Sequence, residues 1–222
     1  MKIGTDGVLL GAWTPVSDNV FSILDIGAGT GLISLMLAQR SFAELIDALE
    51  IDEDAYEQAV ENFENSPWGD RLFCYHAAFD EFVEEMQDEE KYDLIVSNPP
   101  FYNANLSETE TSSRETARFQ DALPFEELIS GAAKLLSEKG NFSLIIPKEE
   151  ESKILALAKN YKLYPSKITE VKGTPTSKVK RSLILLSFQK KEPMKDLLIL
   201  EESRHNYTAE YHKMVQPFYL KL

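Results

Sequence analysis

Asp25-Ile26-Gly27-Ala28-Gly29-Thr30-Gly31 closes an apolar run, Phe21 to Ile26, and opens a helix-length run, Leu32 to Arg40. Glycines at such a strand-helix junction permit a tight turn and let a ligand approach the backbone. A Gly-rich turn alone is a weak signal, but here the spacing is GxGxG with an acid two places before the first glycine, whereas the dinucleotide fingerprint is GxGxxG. Glu50 lies 19 residues beyond Gly31 at the end of the next apolar run, where a carboxylate can accept ribose hydroxyls. A cationic sulfonium cofactor carries no pyrophosphate to seat on a helix N-terminus, and Asp25 suits its positively charged amino acid end. These features point to S-adenosylmethionine, held by Asp25, Gly27, Gly29, Gly31 and Glu50. Asp52 reads as a helix N-cap, because Glu53, Asp54 and a good helix follow it.

Working outward, strand-like runs alternate with helix-length segments: Phe21 to Ile26, Leu45 to Ile51, Leu72 to Tyr75, Tyr92 to Val96, Phe142 to Ile146, Ile168 to Val171 and Ser182 to Phe188. The alternation predicts an α/β, Rossmann-like fold with a doubly wound, mostly parallel, seven-stranded sheet. Gly173 to Thr176 is too short for a crossover helix, so the last two strands should form an antiparallel hairpin. That ending separates a class I methyltransferase fold from a dehydrogenase. Nothing resembles an interdomain linker, and a single domain over residues 1–222 is expected.

Ser97-Asn98-Pro99-Pro100-Phe101-Tyr102 follows the fourth strand, where α/β enzymes keep ligands. Asn98 and Pro99 each precede a proline and are biased to extended geometry, and neither Pro99 nor Pro100 has a backbone N–H. The Asn98 amide oxygen and the Pro99 carbonyl are then two fixed acceptors for both hydrogens of a planar NH2 group, with the Phe101 ring available for stacking. Asn98, Pro99, Pro100 and Phe101 are the candidate catalytic residues of an amino-methylating site.

Composition narrows the partners. A net charge of −14 argues against nucleic acid at first sight, because phosphate binding rests on lysine and arginine. The charge is polarised, however: residues 1–147 carry 8 basic against 28 acidic side chains, and residues 148–191 carry 11 against 4. Such a chain can grip a polyanion with one edge and repel it elsewhere, although Lys153, Lys159, Lys162 and Lys167 also fit a solvated face. The lone Cys74 excludes an intrachain disulfide and reads as a core residue; His76, His205 and His212 lack metal-ligand spacing, so no metal is expected. No segment approaches the ~20 apolar residues of a membrane span and no leader opens the chain, so a soluble cytoplasmic protein is expected.

Met1 to Trp13 (MKIGTDGVLLGAW), Leu24 to Arg40, Ala48 to Asp54, Glu61 to Trp68 (ENFENSPW), Tyr92 to Tyr102 and Tyr207 to Leu220 together resemble the bacterial valine-tRNA adenine-37 N6-methyltransferases, and the likeness runs over the whole chain. Family members carry a short segment before the MKxGTDG stretch, so the resemblance implies that this chain begins late. It implies that Thr5 and Asp6 lie near the cofactor's methionine end, that Asn98 also borders the cofactor, and that Asn98 and Pro99 bind the adenine amino group. Two departures stand out. Phe101 replaces the usual tyrosine, a change also seen in guanine N2-methyltransferases. His76-Ala77-Ala78-Phe79 lacks the aspartate that often contacts the cofactor's adenine, leaving that task to backbone near Ala78 and Phe79 or to a shifted Asp80. For the RNA, Arg114 and Arg118 in the long polar segment after the tetrad are candidates, with pairing to Glu108, Glu110 or Glu115 as the alternative. Lys178, Lys180 and Arg181 in the terminal hairpin are others. Tyr207, Tyr211, Phe218 and Tyr219 read as packing of a closing helix. The expected partner is the anticodon loop of valine tRNA, bound by a monomer. Protein glutamine methylation, guanine N2-methylation and a non-catalytic cofactor- or RNA-binding role remain the rivals.

Overall fold

The computed structural model describes residues 4–100 and 123–220. Among these, the main sheet has eight strands in the order β3-β2-β1-β4-β5-β7-β6-β8. They are β1 (Ser22–Ile26), β2 (Leu45–Glu50), β3 (Leu72–His76), β4 (Tyr92–Ser97), β5 (Leu136–Pro147), β6 (Tyr164–Lys172), β7 (Val179–Ser187) and β8 (Met194–Ile199). Strands β1 to β5 pair in parallel, and β7 lies antiparallel to both β5 and β6. The expected hairpin is therefore present. The eighth strand was not expected: its sequence, Met194-Lys195-Asp196-Leu197-Leu198-Ile199, lacks clean alternation and buries only Leu198 well. It exists because the edge of β6 offers it a parallel ladder from Lys167 to Lys172, with Asp196 accepting from Thr169 and facing Lys167.

Helices cover both faces, as the near-continuous burial of β1, β2 and β4 demands. On one face α1 (Thr5–Trp13), α2 (Leu32–Arg40), α3 (Glu53–Glu64) and α7 (Ala209–Val215) pack on Ile23, Ile46, Ala48, Leu94 and Val96. On the other, α4 (Phe79–Met86), α5 (Phe125–Leu135) and α6 (Glu151–Asn160) pack on Leu24, Leu49, Ile95 and Leu144. Local signals set several boundaries: Asp52 caps α3 by accepting from the Ala55 N–H (2.9 Å), and Thr208 caps α7 by accepting from Tyr211 (3.2 Å). Tyr211 is buried against the first core, while Tyr207 and Tyr219 stay partly exposed. Strand order reverses between β1 and β4, and ligands of open α/β sheets bind at the carboxyl ends of the strands flanking such a switch point.

Candidate active site

The turn after β1 uses its glycines for different reasons. Gly27 and Gly31 have φ of +70° and +80°, in the left-handed region. A Cβ on Gly31 would lie 2.3 Å from Cε1 of Phe63, whereas one on Gly27 would meet nothing within 4 Å. Phe63 thus braces the turn from below, and open space lies against Gly27. Two further bonds hold the loop: the Ala28 N–H donates to Leu49 O (2.9 Å), and Asn62 Nδ2 donates to Thr30 O (2.9 Å). Asn62 and Phe63 were visible in the sequence only as part of the ENFENSPW stretch, and no local spacing reveals that they buttress a turn some thirty residues earlier.

The two carboxylates are differently engaged. Asp25 is 0% exposed; its Oδ2 accepts from the Ser34 N–H (3.1 Å) and Oγ (2.7 Å), and its Oδ1 has no partner among the described residues. Burial pushes this carboxyl up to about 7 against the pull of the Ser34 hydrogen bonds, with a small further rise from Glu50. Glu50 Oε1 accepts from the N–H groups of Ile51 and Asp52 (2.9 Å each), and Oε2 accepts from Gly29 N–H (2.6 Å). A carboxylate has about four acceptor positions, so roughly one remains here, on the oxygen facing the turn. Ile51, 51% exposed, presents an apolar surface beside it. The His76 ring, 3.0 Å from Ile51 O through Nε2, stacks on Tyr56 at 5.2 Å. Ala78 forms the N-cap of α4, and the Phe79 side chain turns into the core, where a Cβ on Gly131 would lie 2.5 Å from its ring. Only the backbone of these two residues is available to a ligand.

At the end of β4, Ser97 Oγ donates to Ile26 O (2.9 Å), tying this strand to the one that carries the glycines. Asn98 follows, and its Oδ1 is buried with no hydrogen-bond partner among the described residues. A buried acceptor of this kind is costly to leave unpaired and is suited to receive a donor. A Cβ on Gly7 would stand 4.0 Å from Asn98 Nδ2 and 3.4 Å from Leu32 Cδ2, so the first turn of α1 forms the wall beside Asn98 and the start of α2. Thr5 and Asp6 lie on that turn. Asp6 Oδ2 accepts from Arg181 Nε at 2.8 Å, which joins a residue expected at the cofactor to one expected at the RNA. Lys178 and Lys180 are exposed on the β6–β7 hairpin. Phe101, Arg114 and Arg118 lie outside the described residues.

The open space at Gly27, the remaining acceptor of Glu50 and the Asp25 and Asn98 oxygens that have no partner among the described residues suit a ligand rich in hydrogen-bond donors, such as a nucleoside. Among the described residues no group of His, Cys, Asp or Glu could hold a metal ion. Residues 9–163 match the family model described as methyltransferase small domain. A Christiangramia forsetii protein named tRNA1(Val) (adenine(37)-N6)-methyltransferase is 68% identical over 222 residues, covering 100% of this chain and 92% of its own. The Flavobacterium psychrophilum protein of the same name is 64% identical, covering 100% and 94%. The chain belongs to the tRNA1(Val) (adenine(37)-N6)-methyltransferase family.

In fold, this member of the family resembles a solved predicted O-methyltransferase, Atu636 from Agrobacterium tumefaciens, with a TM-score of 0.73, 21% identity and 96% of each chain covered. The class I methyltransferase fold is thus seen both in the topology and in the neighbour. Two groups of candidate site residues thus lie at the carboxyl ends of β1, β2 and β4: the turn with Glu50 and Ile51, and Asn98 with the first turn of α1.

Proposed function

We propose that this protein transfers the methyl group of S-adenosylmethionine to the exocyclic N6 of an adenine in tRNA, adenine 37 in the anticodon loop of valine tRNA. The observation that carries the reading is the buried Asn98 Oδ1 at the end of β4, which has no hydrogen-bond partner among the described residues. A buried acceptor at that point is complementary to an N–H donor, and family membership supplies the donor's class.

When bound, the cofactor supplies a methyl group on a sulfonium, an electrophile strong enough for an aromatic amine. The protein's part is to make that amine a better nucleophile. Asn98 Oδ1 and the Pro99 carbonyl accept the two amino hydrogens, which localises the nitrogen lone pair and stabilises the positive charge that develops there. The nitrogen gains the methyl and releases one proton to solvent, so no strong base is required. Phe101 stacks on the base. Extruding a base costs a few kcal/mol in a duplex and less in a loop, and one aromatic stack offsets roughly 1–3 kcal/mol of it.

On the cofactor side, Gly27, Gly29 and Gly31 form the cradle over the buried Asp25, with Thr5, Asp6 and Asn98 bordering it. The free position of Glu50 receives a ribose hydroxyl, Ile51 covers the adenine, and backbone at Ala78 and Phe79 reads its edge. Lys178 and Lys180, in a stretch from Lys172 to Arg181 that holds four cations and no acid, contact the RNA backbone together with Arg114 and Arg118. The reading is of a monomer acting in the cytoplasm as a single domain.

The test is methyl transfer from labelled S-adenosylmethionine to bulk tRNA from a strain lacking this gene, followed by nucleoside analysis and mapping. Labelled N6-methyladenosine at position 37 of valine tRNA is expected. Label in N2-methylguanosine, or only in protein glutamine, would overturn the reading.

A further inference from the structure

Helix α1 is anchored unevenly. Its carboxyl end is fixed by Trp13 Nε1 donating to Thr169 Oγ1 (2.8 Å), by a Thr14–Ser143 hydroxyl pair (2.8 Å), and by Arg40 donating to Gly11 O. Its amino end has no side-chain cap at Gly4, and its backbone bond from Val8 to Gly4 is long, at 3.4 Å. There, among the described residues, a tie is made by the Asp6–Arg181 ion pair, 2.8 Å long, with side chains 25% and 31% exposed. This loosely capped end is also the one whose Gly7 stands against Asn98. Arg181, in turn, is held in the sheet: it is the ladder partner of Pro147 on β5, three residues past Leu144, which is level with Ser97 on β4. A rigid strand end beside the NPP segment therefore fixes Asp6, and Asp6 fixes the wall of the site.

We propose that Arg181 is a positioning residue that acts through Asp6 to hold the first turn of α1 against Asn98, rather than a contact to the RNA backbone. The inference rests on the methyl-transfer reading above and deepens it. Arg181 is the basic residue of its stretch that faces a carboxylate at the crevice, whereas Lys178 and Lys180 point into solvent territory on the hairpin. Because a displacement of about 1 Å in a positioning group can cost on the order of 100-fold in rate, the role should show in turnover and in cofactor affinity before it shows in tRNA affinity.

Steady-state methylation of tRNA and calorimetric titration with S-adenosylhomocysteine test this on the full chain, with circular dichroism and thermal midpoints as checks on folding. Arg181→Ala and Asp6→Ala are each expected to lower kcat by roughly 10- to 100-fold and to weaken S-adenosylhomocysteine binding, with KM for tRNA nearly unchanged. Arg181→Lys should recover part of the loss, and the exchanged pair Asp6→Arg with Arg181→Asp should recover more than either single change of sign. A raised KM for tRNA with unchanged kcat and ligand affinity in Arg181→Ala would make Arg181 an RNA contact and overturn the proposal. An exchanged pair as impaired as Asp6→Ala would also overturn it, by showing that the Asp6 carboxylate matters for itself. Wild-type protein that binds S-adenosylhomocysteine but methylates no tRNA would instead defeat the functional reading, and the titrations would still report on the ion pair.

Discussion

Alanine at Gly27 and at Gly31 should damage the protein in opposite ways, although both residues belong to one turn and both have φ near +75°. The left-handed conformation costs an L-residue about 1–2 kcal/mol, of which roughly 0.4–1 kcal/mol is returned by the stiffer unfolded chain. At Gly27 nothing else is added, because the new methyl enters open space; a net loss near ~1 kcal/mol follows. At Gly31 the methyl lies 2.3 Å from a Phe63 ring that is 2% exposed, against a comfortable separation of about 3.5–4 Å. Overpacking of this kind adds about 1–3 kcal/mol, for a total of roughly 2–4 kcal/mol. In a chain of this size each kcal/mol moves the thermal midpoint by about 2–4 °C, so Gly31→Ala should melt well below Gly27→Ala. The ligand reverses the order of damage. Saturating S-adenosylhomocysteine, at about a hundred times its Kd, stabilises a binding-competent protein by about 2.7 kcal/mol. Gly27→Ala should lose that increment, because its methyl occupies the cradle. Thermal and denaturant melts with and without the ligand provide the assay. A Gly27→Ala protein stabilised as fully as wild type, or equal midpoints for the two variants, would refute the reasoning.

Other consequences are equally direct. Asn98→Ala should lower kcat by on the order of 10²–10³ while S-adenosylhomocysteine affinity changes far less; equal losses in both would mean that Asn98 serves the cofactor rather than the reacting amine. The Asp25 carboxyl titrates at about 7 in the folded protein and at 3.8 ordinarily, so the folded state holds the extra proton between those values. Stability therefore falls as pH rises through that window, by an amount on the order of 4 kcal/mol that Asp25→Asn should remove. Superimposable pH–stability curves for the ligand-free pair would contradict this. Lys178→Glu combined with Lys180→Glu should raise KM for tRNA and flatten its salt dependence by about two counterions, leaving S-adenosylhomocysteine binding intact; an unchanged salt slope would remove the hairpin from the RNA interface.

Short-range chemistry was legible in the chain. The alternation of apolar runs gave the β/α order, the short Gly173–Thr176 link gave the antiparallel ending, Asp52 announced a helix cap, and the GxGxG spacing marked the tight turn between β1 and α2, because periodicity, turn residues and caps act within a few positions. Strand β8 escaped, since a half-exposed edge strand bears no alternation of its own and exists only where a neighbour offers a ladder. Packing alone decided what the functional side chains touch. Asp25 is sealed under Ser34, Glu50 is already mostly occupied by backbone donors, and Phe79 faces the core. Phe63 lies beneath Gly31, and Asp6 meets Arg181 across 175 positions. Contacts of that kind depend on how helices and strands stack in space, and the free energy that selects them is shared over the whole core. A sequence can therefore nominate residues for the chemistry, while only the folded sheet decides which of them hold one another in place.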